Sequence, residues 1–339
     1  MKIDLVYMWV DGNDPVWRAK KNAALAAVGR PLPRISGGDN RWRDNDELKY
    51  ALRSAVKFAP WINNIFIITD GQRPKWLADN PRVKIVDHKD IIPKKYLPVF
   101  NSTAIELFIQ NIPGLSEHFL FSNDDMFFGA PVTPDFFFDK NGNPIVIVQE
   151  RMLRPLYRKN YKKYLAGFGM FFNMVKNGNR FVFDKFGKKY HVTMTHAIEP
   201  MCKSYLQQNI SEFEKEFMES SATRFRENSN IQRLVYPLMD NARGRNSLVL
   251  KWGLGRRRIQ HDPEHTSFAR QIWREIASVF TSLIGIKRQD SCDRGGERRL
   301  RNMKPRMFCI GDNGGDQSKF DKNLKFMQEM FPEKSEFEK

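Results

Sequence analysis

At 339 residues, with 41% hydrophobic and 13% aromatic content, the chain can bury the core of one large domain or of a core plus an added subdomain, and its 18 Pro and 21 Gly exclude wholesale disorder. Lys and Arg number 56 against 39 Asp and Glu, a net charge of +17 that favours polyanionic partners such as nucleic acid, acidic lipid or phosphate-rich molecules. No apolar run reaches the roughly 20 residues of a membrane-spanning helix, and the first apolar run is too short and too acidic for a signal peptide, so the expectation is a soluble, intracellular protein.

In chain order, the β-branched and aromatic run Ile3–Val10 predicts a strand closed by the turn Asp11-Gly12-Asn13-Asp14-Pro15. Asp44-Asn45-Asp46-Glu47 reads as a capping box for a helix with Leu48, Ala51, Leu52, Ala55 and Val56 at helical spacing up to Pro60. Ile65–Thr69, closed by Asp70-Gly71, is a short continuous apolar run, the pattern of a strand buried on both faces, and Val83-Lys84-Ile85-Val86 is read as a repeat of it. Ser102 is expected to cap a helix containing Ala104, Ile105, Phe108 and Ile109 that stops near Pro113-Gly114. Phe119-Leu120-Phe121 predicts a strand running into Ser122-Asn123-Asp124-Asp125. This alternation implies an α/β fold with a mostly parallel, doubly wound, Rossmann-like sheet and right-handed crossovers. In such sheets ligands sit outside the carboxyl ends of the strands, where Asp11–Asp14, Asp70-Gly71 and Asn123–Asp125 all fall.

Beyond Ile145–Val148 the composition turns basic and aromatic. Three stretches result: an α/β half (1–149), a basic, hairpin-rich insertion (150–190) and a helical second half (191–339). Helices are expected at about Ile198–Phe217, Ile231–Met239 and Phe320–Met330, with an Arg-rich mobile loop over 284–306.

Several constellations carry possible chemistry. Adjacent carboxylates at Asp124-Asp125 repel unless a proton or cation is shared, and hard oxygen ligands of this type suit Mg²⁺ or Mn²⁺. Asp312-Asn313 forms a second acidic turn after a short apolar stretch. His196, placed by the reading at the start of the long helix, would be kept neutral by the helix N-terminus and could act as a base. Arg224 and Arg226, two apart on an extended segment, suit a diphosphate clamp. Cys202, Cys292 and Cys309 have no metal spacing and cannot form a disulfide framework. No phosphate-cradling Gly-rich loop, dinucleotide fingerprint or Gly-x-Ser-x-Gly elbow is present.

Taken together, four blocks resemble the Stealth family of sugar-phosphate transferases. They are Ile3–Asp14; a long block from Arg41-Trp42-Arg43-Asp44-Asn45 through Asn101-Ser102 to Asn123–Gly129; Thr195-His196 with Arg224–Glu227; and Cys309–Asn313. The resemblance implies a GT-A-like core that transfers a hexose-1-phosphate, typically from a UDP-sugar such as UDP-GlcNAc, to a sugar hydroxyl and releases UMP. It implies Asp124 and Asp312 as metal ligands, Asp125 as a ligand or orienting group, His196 as the base and Arg226 as a phosphate-binding catalytic group. Asp11, Gly12 and Asn13 would line the nucleotide end, with Arg43, Asn101, Ser102, Asn123, Arg224 and Asn313 as further substrate contacts. Expected partners are the UDP-sugar, an oligosaccharide or phosphopolysaccharide acceptor and an acidic membrane surface at the cytoplasmic face. A glycosyltransferase releasing UDP is the alternative. Nucleic acid is not an expected partner, because the basic residues lie in two inserted segments and not along one recognition helix.

Overall fold

The structure is a computed structural model and describes residues 1–29, 31–38, 41–150, 153–159, 169–250, 257–258, 286–289, 300–301, 304–310 and 317–339. Its central sheet has the order β3-β2-β1-β4-β8. Four strands run parallel: β1 (Ile3–Met8), β2 (Ile65–Thr69), β3 (Val83–Asp87) and β4 (His118–Asn123). β8 (Glu199–Cys202) closes one edge antiparallel to β4, with Phe121 opposite Glu199. The α/β, mostly parallel architecture expected from the sequence is the one observed.

The inner strands are continuous apolar runs because both faces of the sheet are covered. Leu5, Tyr7, Ile67 and Leu120 point into one core, shared with the helix Glu47–Phe58 and with Phe308, Met327 and Phe337 near the end of the chain. Val6, Phe66, Ile68, Phe119 and Phe121 point into the other, against residues 104–115 and the later helices. A second sheet, β10-β9-β6-β7, contains β6 (Ile145–Glu150), β7 (Val192–Met194), β9 (Ser247–Leu250) and β10 (Arg257–Arg258). In the third, β12 (Met307–Ile310) lies between β11 (Ile286–Gln289) and β5 (Met126–Phe128), antiparallel to β5. Late segments therefore return to the carboxyl end of β4: β8 along its edge and β12 beside the residues that follow it.

Several expected elements differ. The helix expected from Ile198 to Phe217 begins at Lys203 and breaks at Phe213 into Lys203–Glu212 and Glu214–Ser221. Pro200 cannot sit inside a helix, and an edge strand is where a sheet tolerates it. Asn101, not Ser102, caps the helix Ser102–Glu106, its side-chain oxygen accepting from Thr103 N at 3.1 Å, and the chain then tightens into the 3₁₀ turn Ile109–Asn111. The hairpin-rich insertion holds a 17-residue helix, Met170–Phe186, and the supposed loop 284–306 contributes β11. The helix placed at 231–239 runs from Val235 to Ala242.

One buried acid staples the sheet. Asp4, fully buried in β1, accepts from Asn63 Nδ2 (2.8 Å), Asn64 N (3.0 Å) and Ser116 N (2.7 Å), tying β1 to the approaches of β2 and β4. Asp4→Asn puts an amide donor where an acceptor is needed, and is expected to lower unfolding free energy by about 1–3 kcal/mol in denaturant titration.

Candidate active site

The carboxyl ends of β1, β2 and β4 are drawn together by backbone pairing. Met8 lies opposite both Ile68 and Asn123, and Trp9 N donates to Ile68 O at 3.0 Å. The following loop is locked from two sides: Asp11 N donates to Gln72 Oε1 (3.1 Å) while Gln72 Nε2 donates to Asp11 O (2.9 Å), and Gly12 N donates to Trp42 O (2.6 Å). A Cβ on Gly12 would come 2.3 Å from that carbonyl, so only glycine permits this approach. Asn13 is exposed; its N–H donates to Asp11 Oδ1 at 2.8 Å and its side-chain oxygen accepts from Arg18 at 3.1 Å.

The segment 43–47 adds carboxylates to this edge. Asp46 has left-handed backbone and makes no side-chain cap; Glu47 instead accepts from Asn45 N (2.6 Å) and Asn45 Nδ2 (2.9 Å). The expected capping box is thus replaced by an arrangement that keeps Glu47 buried at the head of its helix. Burial raises the Asp44 carboxyl to about 6, assisted by the charges of Asp46 and Asp11, and raises Glu47 to about 7, assisted by Asp44. The Asp124 carboxyl is pushed well above the usual range by burial first, then by Asp125, Glu47 and Asp44. The Tyr7 hydroxyl, one strand away, is pushed up by burial and by Asp124.

Asp125 is anchored from the returning strand: Ile310 N donates to Asp125 O at 3.0 Å, and Cys309 Sγ approaches Asp125 Oδ2 at 3.2 Å. Asn123, half-buried, ends β4. Asp312 and Asn313 lie outside the described residues.

His196 stands in a bend between β7 and β8, not at the helix N-terminus expected from the sequence, because the helix begins only at Lys203. Because β8 runs antiparallel to β4 from the Phe121–Glu199 pair, this bend lies at the same end of β4 as Asn123, Asp124 and Asp125. Neighbouring Thr195 is fixed by donating to Ile147 O at 2.9 Å.

Arg224 and Arg226 do not face one way. Residues 222–227 bend instead of extending; Arg224 is exposed and donates to Pro98 O at 3.1 Å, whereas Arg226 turns inward and donates to Ser102 Oγ. Arg226 Nε is buried with no hydrogen-bond partner among the described residues. Asn101 is fully buried, its amide donating to Asn230 Oδ1 and Thr223 Oγ1, each at 3.0 Å; it positions the 221–230 loop and does not line an open site. The Arg43 guanidinium packs on the Phe320 ring at 4.2 Å.

Sequence reasoning assigned Asp44 and Glu47 to a cap and gave Arg41 no role. The signal that marks the two acids was their position in a segment with three acids in four residues, Asp44, Asp46 and Glu47, joined to a helix packed under the sheet edge.

The cluster suits a divalent cation in charge and donor type: hard oxygens crowded until their protons are retained are what Mg²⁺ or Mn²⁺ would relieve. Among the described residues, no three His, Cys, Asp or Glu side chains are placed to share one ion, so this part of the site supplies charge and an incomplete ligand set.

Fold and site define a class: an α/β protein with interacting carboxylates at the carboxyl edge of a parallel sheet. Residues 1–29 match the model for Stealth protein CR1, conserved region 1, and residues 41–146 that for Stealth protein CR2, conserved region 2. The chain is 32% identical to the receptor polysaccharide phosphotransferase WefC of Streptococcus oralis over 99% of both chains. It is 39% identical to the exopolysaccharide phosphotransferase CpsY of Mycobacterium tuberculosis over 68% of this chain, spanning 42% of that protein. The capsular polysaccharide phosphotransferase LcbA of Neisseria meningitidis is 42% identical over 47% of this chain and 43% of its own. The chain belongs to the Stealth family. Among solved structures, the galactosyltransferase LgtC overlays 98% of the chain at 10% identity, with a TM-score of 0.45.

The raised carboxyls set a pH dependence. Folding holds protons on Asp44 and Glu47 up to about 6 and 7, whereas the unfolded chain releases them near 3.8 and 4.5. Their contribution therefore favours the fold at low pH and is lost as pH rises through this window. In EDTA, the melting temperature is expected to fall between about pH 4 and 7 more steeply for wild type than for Asp44→Asn/Glu47→Gln, and added Mg²⁺ or Mn²⁺ should flatten the wild-type slope. Equal slopes in scanning calorimetry would show that the cluster does not titrate as described.

Proposed function

We propose that the protein transfers a hexose-1-phosphate, such as GlcNAc-1-phosphate, from a UDP-sugar to a sugar hydroxyl of an oligosaccharide or phosphopolysaccharide. The product is a phosphodiester, the leaving group is UMP, and the setting is capsule or exopolysaccharide synthesis. The reading is supported chiefly by the placing of Asp44, Glu47 and Asp124 within electrostatic reach of one another near the carboxyl end of β4. Such a site is built to face added positive charge of the kind that accompanies a diphosphate. The names of the relatives support the reaction class.

In this reaction the acceptor oxygen attacks the sugar-bearing phosphorus in line with the bond to the bridging oxygen, which leaves with UMP. Little covalent help is needed; positioning and charge neutralisation dominate. Asp124, with Asp312 from the segment after β12, would hold the cation, which when bound supplies neutralising charge to the diphosphate. His196 takes the proton from the acceptor hydroxyl. Arg226, steadied by Ser102, binds phosphate oxygens, and Asp125 orients the acceptor side. Asp11, Gly12 and Asn13 meet the nucleotide, with Arg43, Asn123, Arg224 and Asn313 at the borders of the bound donor.

Incubating the protein with a panel of UDP-sugars, an acceptor and Mg²⁺ should release UMP; release of UDP would identify a glycosyltransferase instead. His196→Ala should lower kcat on the order of 10²- to 10⁴-fold with UDP-sugar affinity nearly unchanged, because the base acts on the acceptor. Loss of affinity with kcat intact would make His196 a binding residue.

A further inference from the structure

Four aromatic rings gather beside the candidate site from distant parts of the chain. Trp17 packs against Trp42 (5.7 Å between ring centroids) and Phe100 (5.5 Å), and Phe100 stacks on Phe225 (5.3 Å). Three of these rings each have a polar neighbour in sequence: Arg41 beside Trp42, Ser102 two residues beyond Phe100, and Arg226 beside Phe225. Backbone bonds tighten the same junction. Phe100 N donates to Arg224 O at 2.8 Å, Ser36 Oγ donates to Arg226 O at 2.8 Å, and Arg41 N donates to Gly38 O at 3.1 Å.

This packing brings two guanidiniums within electrostatic reach of each other, and burial, reinforced by the Arg226 charge, lowers Arg41 to about 9. The Nε atoms of both are buried with no hydrogen-bond partner among the described residues. The nearby carboxylates do not balance them. Glu106 and Glu199 are both engaged by Arg233, at 3.0 and 2.9 Å. Of the two, only Glu106 also acts on Arg226, whereas among the described residues the charge that bears on Arg41 is the like charge of Arg226, so an anion is needed to offset this pair. A fork-shaped donor on each side suits the tetrahedral, multiply accepting oxygens of a phosphoryl group better than a single carboxylate.

We propose that Arg41 and Arg226, brought within reach of each other by the Trp42–Trp17–Phe100–Phe225 ring cluster, form a two-arginine cradle for one phosphoryl group. Arg41, and not Arg224, is the partner of Arg226. The proposal deepens the phosphate-transfer reading above and rests on it for the identity of the physiological ligand. The phosphoryl group belongs either to the donor's diphosphate or to a phosphodiester of the acceptor.

The test titrates the full chain by calorimetry with UDP and with dimethyl phosphate, in parallel with Arg41→Gln and Arg41→Lys, and follows thermal melting of each ligand-free protein. Arg41→Gln is expected to weaken binding by about ten- to a hundredfold, and Arg41→Lys by less, since it keeps the charge without the fork. Ligand-free Arg41→Gln should melt at or above the wild-type temperature, because it relieves repulsion with Arg226. Weakening confined to UDP assigns the cradle to the donor; weakening confined to dimethyl phosphate assigns it to the acceptor linkage. Unchanged affinity for both probes in a folded Arg41→Gln overturns the proposal, as does a lower melting temperature with affinity intact, which would make Arg41 a packing residue. Should the Gln variant not fold, Arg41→Lys decides, and wild-type affinity for both probes would count against the cradle. Release of UDP by a protein whose phosphate binding depends on Arg41 would refute the transfer reading alone and leave the cradle standing.

Discussion

Carboxylates held close together in a protein interior repel, and each is better solvated by water than by its neighbours. Asp44, Glu47 and Asp124 are kept together all the same, and the cost shows as protons retained well above the ordinary carboxylate range. Much of the surrounding structure maintains this crowding. The β1–β4 pairing fixes Asp124 beside Tyr7, the helix Glu47–Phe58 holds Glu47 inside, and the Gly12–Trp42 contact draws the 41–47 segment onto the loop after β1. A site under such strain is poised for whatever cation or proton relieves it.

The second dependence is on chain return. β8 supplies an edge strand whose leading bend carries His196, and β12 docks against β5 so that its end meets Asp125. At the far end of the chain, Arg53 grips Glu338 through bonds of 2.8 and 2.6 Å, tying the last residues to the helix under the acidic edge. Residues separated by more than a hundred positions thus converge on one end of a small parallel sheet, while the ring cluster performs the same service for the arginines.

The core sheet was legible in the sequence because strands covered on both faces must be continuously apolar, as Ile65–Thr69 and Phe119–Phe121 are. β8 was not: Glu199-Pro200-Met201-Cys202 has no strand pattern, and only its place at an edge makes Pro200 acceptable. The helix Met170–Phe186 was hidden by Asn173, Asn177, Gly178 and Asn179, poor helix formers whose cost is met by tertiary contacts. Asn177 Nδ2 donates to Asn228 O and Asn230 O, and Asn179 Nδ2 to Val192 O. At the site, Asp124 and Asp125 stood out because paired acids ending a buried strand are anomalous. Glu47 and Arg41 did not, since an acid at a helix start and a basic residue beside a tryptophan are ordinary until the fold buries them. Arg224 and Arg226 misled for a related reason: two-residue spacing places side chains on one side only in an extended segment, and this one bends.

The decisive question is which bond to the diphosphate breaks. A UDP-sugar labelled with ³²P at the sugar-bearing phosphorus, incubated with protein, acceptor and Mg²⁺, separates the possibilities by where the label goes. Transfer of a sugar phosphate predicts label in the acceptor product in step with sugar, and unlabelled UMP. Label left wholly in UDP, with sugar alone on the acceptor, would contradict it.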